Sequence, residues 1–121
     1  MGYVDGYVLP LPKKHIKTFQ RIATAAGNIW IKHGALDYKE CIGDDLKVKG
    51  MTSFTSSCKA KASETVVFAF VTYKSKKHRD SVNAKVMKDP QLHALCNEKN
   101  VPFDVKRMIY GGFKVIVTRS K

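Results

Sequence analysis

Residues that could bind a small molecule or transfer protons occur near both ends of the chain. Tyr3 and Asp5 lie near the start, and the later group comprises Phe103, Asp104, Lys106, Arg107 and Tyr110. Carboxyl and phenol groups that face a cavity can orient a ligand or act as acid and base. The alternative is that Asp104 and Arg107 form a structural ion pair that fixes the loop before the last strand.

A second group of candidates is a cationic run at the predicted start of a helix. It contains Lys74, Lys76, Lys77, His78 and Arg79. Positive charge opposes the helix dipole there, and a bound anion would relieve that repulsion while accepting hydrogen bonds from free amides. The simpler interpretation is that these side chains extend into water and that Arg79 alone pairs, with Asp80 or another carboxylate.

Other kinds of chemistry have little support in the sequence. The four histidines, at positions 15, 33, 78 and 93, do not have the spacing of metal ligands. No glycine-rich phosphate loop or nucleophile elbow occurs. Three cysteines, at positions 41, 58 and 96, are odd in number and far apart, which favours reduced thiols in the cytoplasm over a disulfide framework. We expect neither a metal nor a cofactor.

The net charge of +12 makes a polyanion such as RNA a possible partner. The basic residues are, however, spread along the whole chain, with mild clusters only at 13–21 and 74–79. The aromatic-plus-basic strand motif of RNA-recognition domains is missing, because Tyr-Gly-Gly-Phe at positions 110–113 does not match it. A solvated basic surface is therefore favoured over a nucleic-acid interface.

The candidate residues must be positioned by a small set of strands and helices. Residues 65–73 are almost all β-branched or aromatic, which predicts a buried central strand. Ser75 can cap the following helix, whose apolar residues Val82, Val86 and Met87 are expected on one face and which Asp89-Pro90 ends. The remaining predicted elements are a strand at 3–9, a helix at 13–32, a strand at 35–42, a long polar excursion at 46–63, a short helix at 91–96 and a strand at 107–118. Leu36, Tyr38 and Ile42 are expected on one face of the strand at 35–42, and Met51 and Phe54 are expected to anchor the excursion. Gly111-Gly112 inside the last strand suggests a bulge or a close backbone approach.

This order, β-α-β-β-α-β, is typical of an α+β, ferredoxin-like fold with a four-stranded antiparallel sheet. We expect the first strand to be central and the fourth to lie at an edge beside the second. Alternation along the central strand places one set of side chains on one face, Val67, Ala69, Val71 and Tyr73, and a second set on the other face, Val66, Phe68 and Phe70. Two helices cover only one face, so we expect a homodimer in which two sheets pack into a dimeric α-β barrel.

The chain of 121 residues is expected to form a single domain, 1–121. Its apolar runs are shorter than the roughly 20 residues of a membrane helix. The N-terminal residues lack the basic-then-apolar layout of a signal peptide, since Asp5 and Gly6 interrupt it. We therefore expect a cytoplasmic protein that does not enter a membrane.

Several motifs resemble those of the YbaA-like family of small bacterial proteins, which carries the label domain of unknown function 1428. They are Tyr-Val-Asp-Gly-Tyr near the start, Glu-Thr-Val-Val-Phe, Met-Lys-Asp-Pro, and Pro-Phe-Asp-x-Lys-Arg-Met-Ile-Tyr-Gly-Gly-Phe. The resemblance extends from Tyr3 to about Val117. It implies the dimeric α+β barrel superfamily, whose members include cofactor-free monooxygenases, dye-decolourising enzymes and binding proteins, and it implies no particular reaction.

The leading hypothesis is a homodimer that binds a small apolar or aromatic molecule in a barrel or in a cleft between sheet and helix, with cofactor-free chemistry as an extension. The candidate ligand-binding residues are Tyr3, Asp5, Phe68, Phe70, Arg79, Phe103, Asp104, Arg107 and Tyr110. A polyanion-binding protein and a non-catalytic structural or regulatory dimer are the alternatives. Whether the protein is an enzyme stays open.

Overall fold

The computed structural model describes residues 2–96 and 101–121 and has an α+β architecture. Four strands form one antiparallel sheet, and helices pack on one of its faces. In chain order the elements are β1 (Tyr3–Pro12), α1 (Ile16–Lys32), β2 (Asp37–Ile42), α2 (Phe54–Ser57), β3 (Glu64–Tyr73), α3 (Lys76–Met87), α4 (Pro90–Leu95) and β4 (Ile109–Lys114). Single 3-10 turns precede α1 at Lys13–His15 and β4 at Val105–Arg107.

The strands lie in the order β2-β3-β1-β4, which confirms the ferredoxin-like topology. β1 is central, as predicted, and pairs with β3 on one side and with β4 on the other. The expectation that β4 lies beside β2 is wrong, because these two strands form opposite edges of the sheet. β4 pairs with β1 without interruption from Ile109, opposite Val8, to Lys114, opposite Tyr3.

Alternation along β3 divides the sheet into a covered and an open face. Val67, Ala69, Val71 and Tyr73 are buried in the two apolar clusters that include residues of α1 and α3. Phe68 lies on the opposite face and is 43% exposed. The predicted assignment of these residues to two faces is confirmed, and the covered face is the one that carries the helices.

The helices form where local sequence signals predict them. Phe19, Ala23 and Ala26 are buried along one side of α1, as their spacing predicts. α3 begins after Ser75, whose hydroxyl accepts a hydrogen bond from the backbone N–H of His78, so the predicted N-cap is confirmed. On α3 the apolar face consists of Val82 and Val86, whereas Met87, which was expected to share it, is 53% exposed.

β1 is longer than predicted because it continues through two prolines. The strand was expected to end at Leu9, yet Pro10 pairs with Val66 and Pro12 with Glu64 of β3. β4 covers β1 only as far as Val8, so beyond that point β1 has one free side. Proline is tolerated there because the lost N–H removes no hydrogen bond of a central ladder.

β4 and the excursion at 46–63 also differ from the sequence prediction. β4 ends at Lys114 rather than at residue 118, and Arg107 lies in the preceding 3-10 turn. The excursion contains the short helix α2, which places the Phe54 ring 6.1 Å from the ring of Phe68 on the open face. Met51, expected to anchor the excursion, is 72% exposed.

Candidate functional site

A cleft of about 470 Å³ lies on the covered face between α1 and the edge strand β2. Its walls are mainly apolar, and the lining side chains include Phe19, Ala23, Ile31, Ile42 and Val67. Glu40 and Tyr38 contribute polar groups from β2. An apolar cleft with a few convergent polar groups is the usual form of a small-molecule site.

The carboxyl group of Glu40 is hydrogen-bonded within this cleft. The Tyr38 hydroxyl donates to Glu40 Oε2 at 2.6 Å. Oε1 accepts no hydrogen bond from any residue that the structure describes. Burial raises the pKa of Glu40 above its ordinary value of 4.5, and the hydrogen bond from Tyr38 only partly offsets that effect. Burial raises the pKa of Tyr38 as well, so its hydroxyl keeps its proton.

Gly27 of α1 permits the position of Tyr38. A Cβ atom at residue 27 would lie 2.9 Å from Cδ1 of the Tyr38 ring, which is closer than side chains pack. The Tyr38 ring also lies 6.0 Å from the ring of Trp30. The glycine therefore allows the tyrosine to lie flat against the helix, where its hydroxyl reaches Glu40.

The sequence interpretation missed Glu40 as a site residue. It placed Tyr38 and Ile42 on one face of the strand, and Glu40 lies between them in the same alternation. Glu40 pairs with Ala69, whose side chain is buried on the covered face. A carboxylate on the apolar face of an amphipathic strand was the available signal.

Four of the predicted residues do come together, in a polar cluster between the sheet and α3 in which Tyr3 and Asp5 are buried and Tyr110 is 47% exposed. Arg79 Nη1 donates to the Tyr110 hydroxyl at 2.8 Å and Nη2 donates to the Tyr3 hydroxyl at 3.3 Å. The guanidinium also lies 5.0 Å from the centre of the Tyr3 ring. The expected ion pairs of Arg79 are confirmed, with Asp5 at 3.4 Å and with Asp80 at 3.1 Å.

The sequence interpretation expected these polar groups to face the interior of a barrel between two sheets, but the cluster lies on the covered face, beneath the helices. Asp5 pairs with Val71 and Tyr3 with Tyr73, and both partners are buried on the covered face. Asp5 is fully buried, and burial raises its pKa despite Arg79, Tyr110 and Asn83 nearby, which lower it. The group lies beneath α3 because the alternation of β1 places residues 3, 5 and 7 toward the helices.

The other predicted residues of the C-terminal group lie elsewhere. Arg107 binds Glu64 through both carboxylate oxygens and also binds Asp104 Oδ2 at 3.0 Å. The expected ion pair between Asp104 and Arg107 is therefore confirmed. Along β3, Glu64 and Val71, which lies opposite Asp5, are roughly 23 Å apart at about 3.3 Å per residue. The structure thus separates Asp104 and Arg107 from Asp5.

Three aromatic candidates, Phe68, Phe70 and Phe103, line neither the cleft nor the polar cluster. The ring of Phe103 packs edge-on against that of Phe19, 5.8 Å between centres. Phe68 and Phe70 pack edge-on against each other at 5.9 Å, and Phe70 pairs with Gly6 of β1. Phe68 and Phe70 therefore belong to the open face, while Phe103 belongs to an apolar cluster on the covered face.

The cationic run at the start of α3 has mixed surroundings. Lys74, Lys76 and Lys77 are exposed. The ring of His78 accepts a hydrogen bond from the backbone N–H of Lys74 through Nδ1, at 2.9 Å. Within this run, Arg79 therefore takes part in the polar cluster, and the three lysines form a solvated surface.

Residues 2–96 and 101–121 contain neither a candidate metal cluster nor a helix that could span a membrane. No group of three or more histidine, cysteine or carboxylate side chains in this part of the chain could hold a metal ion. Within the same ranges, none of the helices has the length and apolar character needed to cross a membrane.

Comparisons with known proteins relate the chain to uncharacterised bacterial proteins. The family model described as "Protein of unknown function (DUF1428)" matches residues 2–105. The chain is 38% identical over 117 residues to the uncharacterised protein YbaA of Escherichia coli K12, covering 97% of this chain and 98% of that protein. YbaA of Shigella flexneri has the same identity and coverage.

A solved structure is similar in fold. It is an uncharacterised NIPSNAP domain protein from Burkholderia xenovorans, with a TM-score of 0.58 and coverage of 98% of this chain and 99% of that one. Its sequence identity of 13% restricts the comparison to the fold.

Proposed function

The chain belongs to the DUF1428 family of proteins of unknown function, and from that premise we propose that it is a cytoplasmic homodimer that binds a small aromatic molecule between α1 and β2. The supporting observation is the carboxyl group of Glu40 in an apolar cleft, with one oxygen held by Tyr38 and the other without a hydrogen bond from the described residues. A ligand with an apolar body and one hydrogen-bond donor complements that arrangement.

A phenol is the simplest molecule with those properties. Its ring would contact the apolar walls formed by residues such as Phe19 and Ala23, and its hydroxyl would donate to Glu40 Oε1. A hydrogen bond of this kind typically contributes about 0.5–1.5 kcal/mol, and more when the acceptor is charged. Phenols should therefore bind more tightly than their methyl ethers, which have the same rings but cannot donate.

The same pair of side chains could support cofactor-free proton transfer. A carboxyl group whose pKa is raised by burial, as that of Glu40 is, is a stronger base than an exposed one, so it can accept a proton from a bound phenol and return it. The Tyr38 hydroxyl keeps one carboxylate oxygen oriented, so the other is directed at the ligand. Catalysis is thus an extension of the binding proposal.

Thermal-shift and calorimetric titrations with 2-naphthol and 2-methoxynaphthalene test the proposal. We expect 2-naphthol to bind more tightly than its ether, and Glu40→Gln to weaken 2-naphthol binding about tenfold, equivalent to about 1.4 kcal/mol. Lys39→Gln is the matched control, because Lys39 is the preceding residue of the strand and lies toward Phe70 of the open face. Equal binding of the two probes, or of Glu40→Gln and the wild type, would overturn it.

The homodimer is supported by the character of the open face. Phe113 is 62% exposed, Ile109 46% and Phe68 43%, and they lie on one face of the sheet, on β4 and β3, with Val8 of β1 between Ile109 and Phe68. The charged residues at its β2 edge, Lys39 and Asp37, form an ion pair with each other. In a chain of net charge +12 this face is neutral and apolar, so it is the surface where two copies repel least and bury most.

Sedimentation velocity over a range of micromolar concentrations tests the dimer. We expect a two-subunit species for the wild type and for Met87→Lys, which alters an equally exposed apolar residue on α3. Phe113→Lys should dissociate it, because a lysine in an apolar interface loses hydration without gaining a partner. A monomeric wild type contradicts the dimer and leaves the cleft proposal standing.

The cytoplasmic location is supported by the free state of Cys41, Cys58 and Cys96.

Binding of a polyanion such as RNA is the competing proposal, and its support is the net charge alone. Filter binding to a single-stranded RNA at increasing salt concentrations separates polyanion binding from small-molecule binding as the main function. Binding that is weak and disappears at moderate salt supports a nonspecific surface, and binding that does not change with salt would defeat the polyanion proposal. Tight, sequence-dependent binding that weakens with salt but persists at physiological salt would overturn the small-molecule function as the main one.

A further inference from the structure

Lysines that are dispersed in the sequence lie together at one end of the folded chain, where β1 finishes and β3 begins. The N–H of Lys13 donates to the Ser63 carbonyl at 3.0 Å, which brings the start of α1 to this end. Arg107, which binds Glu64 here, also donates to the Lys59 carbonyl at 3.0 Å. We call the exposed lysines around these contacts the basic end: Lys13, Lys14, Lys17, Lys59, Lys61 and Lys106.

The positive charge of the basic end is not neutralised by neighbouring acids. None of its lysines forms an ion pair within residues 2–96 and 101–121. The carboxylates of Glu64 and Asp104, which lie at this end, are both bound by Arg107. The loop that follows β2 begins at the same end, but residues 44–49 contain two aspartates and two lysines and so add no net charge.

Aliphatic side chains are exposed beside these lysines. Val105, which precedes Lys106, is 55% exposed, and Ile42 at the end of β2 is 48% exposed. Ile42 also lines the cleft between α1 and β2, together with Ile16, which lies between Lys14 and Lys17 in the chain. The apolar wall of the cleft is therefore exposed to solvent next to the basic end.

Unpaired lysines with aliphatic side chains among them complement an anionic lipid surface. Lysines at such a surface attract its anionic headgroups, and aliphatic side chains enter the boundary between headgroups and acyl chains. A single-stranded nucleic acid would favour exposed aromatic side chains on which its bases stack, whereas Val105 and Ile42 are aliphatic. The lipid surface is therefore the better match for this end of the molecule.

We propose that the basic end docks on an anionic lipid surface, and that the cleft receives its apolar ligand from that surface. Docking depends on the basic end alone, whereas delivery of a ligand rests on the proposed function. The contact is peripheral, because it uses side chains at the end of the sheet and requires no helix to cross the bilayer.

Sedimentation with lipid vesicles tests the docking. At about 0.1 M salt, we expect the full chain to bind phosphatidylcholine vesicles that contain about one third phosphatidylglycerol, and not pure phosphatidylcholine. Replacing Lys13, Lys14 and Lys17 together by glutamine should weaken binding at least about tenfold, because each lysine near the surface contributes. Absence of binding to the anionic vesicles would overturn the proposal.

A matched control separates the basic end from net charge. Replacing Lys74, Lys76 and Lys77 by glutamine removes the same charge from exposed positions at the other end of β3. That end is about 30 Å away, roughly three Debye lengths at 0.1 M salt, so we expect less than about threefold weaker binding. Equal weakening by the two triple variants would overturn docking through the basic end.

Fluorescence quenching by brominated lipids tests the orientation. The tryptophan introduced by Val105→Trp should be quenched in anionic vesicles that contain brominated lipid. The wild type should not be quenched, because its single tryptophan, Trp30, lies about 21 Å along α1 from Ile16. Quenching of Trp30 without quenching at position 105 would overturn the orientation, and tighter binding to single-stranded RNA than to the vesicles would overturn the choice of partner.

Delivery is tested with 2-naphthol preloaded into anionic vesicles, followed by stopped-flow fluorescence. The wild type should take up the naphthol at least about tenfold faster than the Lys13, Lys14 and Lys17 variant, while both bind free 2-naphthol equally. Equal uptake rates would overturn delivery and leave docking in place. If the vesicles are bound but free 2-naphthol is not, the proposed function and delivery fail and docking stands. If free 2-naphthol is bound but the vesicles are not, docking and delivery fail and the proposed function stands.

Discussion

Arg107 donates through Nη1 and Nη2 to the two carboxylate oxygens of Glu64, at 2.7 and 2.8 Å. The pair joins the 3-10 turn before β4 to the first residue of β3. Arg107 Nη1 also donates to the Lys59 carbonyl at 3.0 Å, so the same side chain holds the end of the excursion at 46–63. One guanidinium thereby fixes three segments that are distant in sequence.

This contact predicts a loss of stability in acid. The hydrogen bonds from Arg107 lower the pKa of Glu64 from 4.5 to about 2. The unfolded chain therefore binds protons more readily than the folded one, and the free energy of unfolding should fall as pH decreases from 4.5 to about 2. Glu64→Gln should cost about 2 kcal/mol at neutral pH and flatten that slope. Urea denaturation of both proteins across this pH range measures it, and parallel curves would contradict it.

Glu40 predicts the opposite pH dependence. Its pKa is raised by burial, so the folded state binds a proton more tightly than the unfolded state. The free energy of unfolding should therefore decrease as pH rises above 4.5 and through the higher folded pKa. Glu40→Gln keeps the neutral shape and should be more stable than the wild type at neutral pH, as measured by urea denaturation. Equal stability at neutral and mildly acidic pH in both proteins would contradict this assignment.

The neighbouring glycines 111 and 112 should respond differently to alanine. A Cβ at Gly112 would lie 2.5 Å from the Tyr3 hydroxyl, whereas at Gly111 the nearest atom, on the Phe113 ring, would be 3.6 Å away. Gly112→Ala must displace Tyr3, which accepts a hydrogen bond from Arg79, and should cost about 1–3 kcal/mol. Gly111→Ala should be within about 1 kcal/mol of the wild type. Chemical denaturation compares them, and equal costs would refute the close contact.

Asp89 links the end of α1 to the start of α4 and should be important for stability. It caps α4 by accepting from the N–H of Gln91, and it binds Lys32 and His33 at the end of α1. Asp89→Ala should cost about 2 kcal/mol, because both the cap and the charged hydrogen bonds are lost. Asp89→Asn, which keeps the cap acceptor, should cost about half as much.

The lowered pKa of Asp89 makes its contribution present at neutral pH and lost as pH falls below 3.8. Asp44→Ala serves as the control, since Asp44 is exposed, and it should change stability by less than about 0.5 kcal/mol. Equal urea midpoints for the alanine variants of Asp89 and Asp44 would show that the contacts of Asp89 contribute nothing.

The sequence by itself determined the elements and their buried sides, because these depend on local periodicity and capping. The alternation of β3, the apolar spacing of α1 and the cap at Ser75 each required only residues within a few positions of one another. The close approach suspected at the paired glycines 111 and 112 is likewise found, at Gly112.

Only the tertiary structure decided which candidates form a site. The predicted C-terminal group divides, with Tyr110 beside Arg79 and Arg107 beside Glu64, because strand order and register set which distant residues meet. Glu40 became a candidate only when α1 was placed over β2. Such contacts depend on pairings between residues far apart in the chain, and the local sequence around each residue does not specify those pairings.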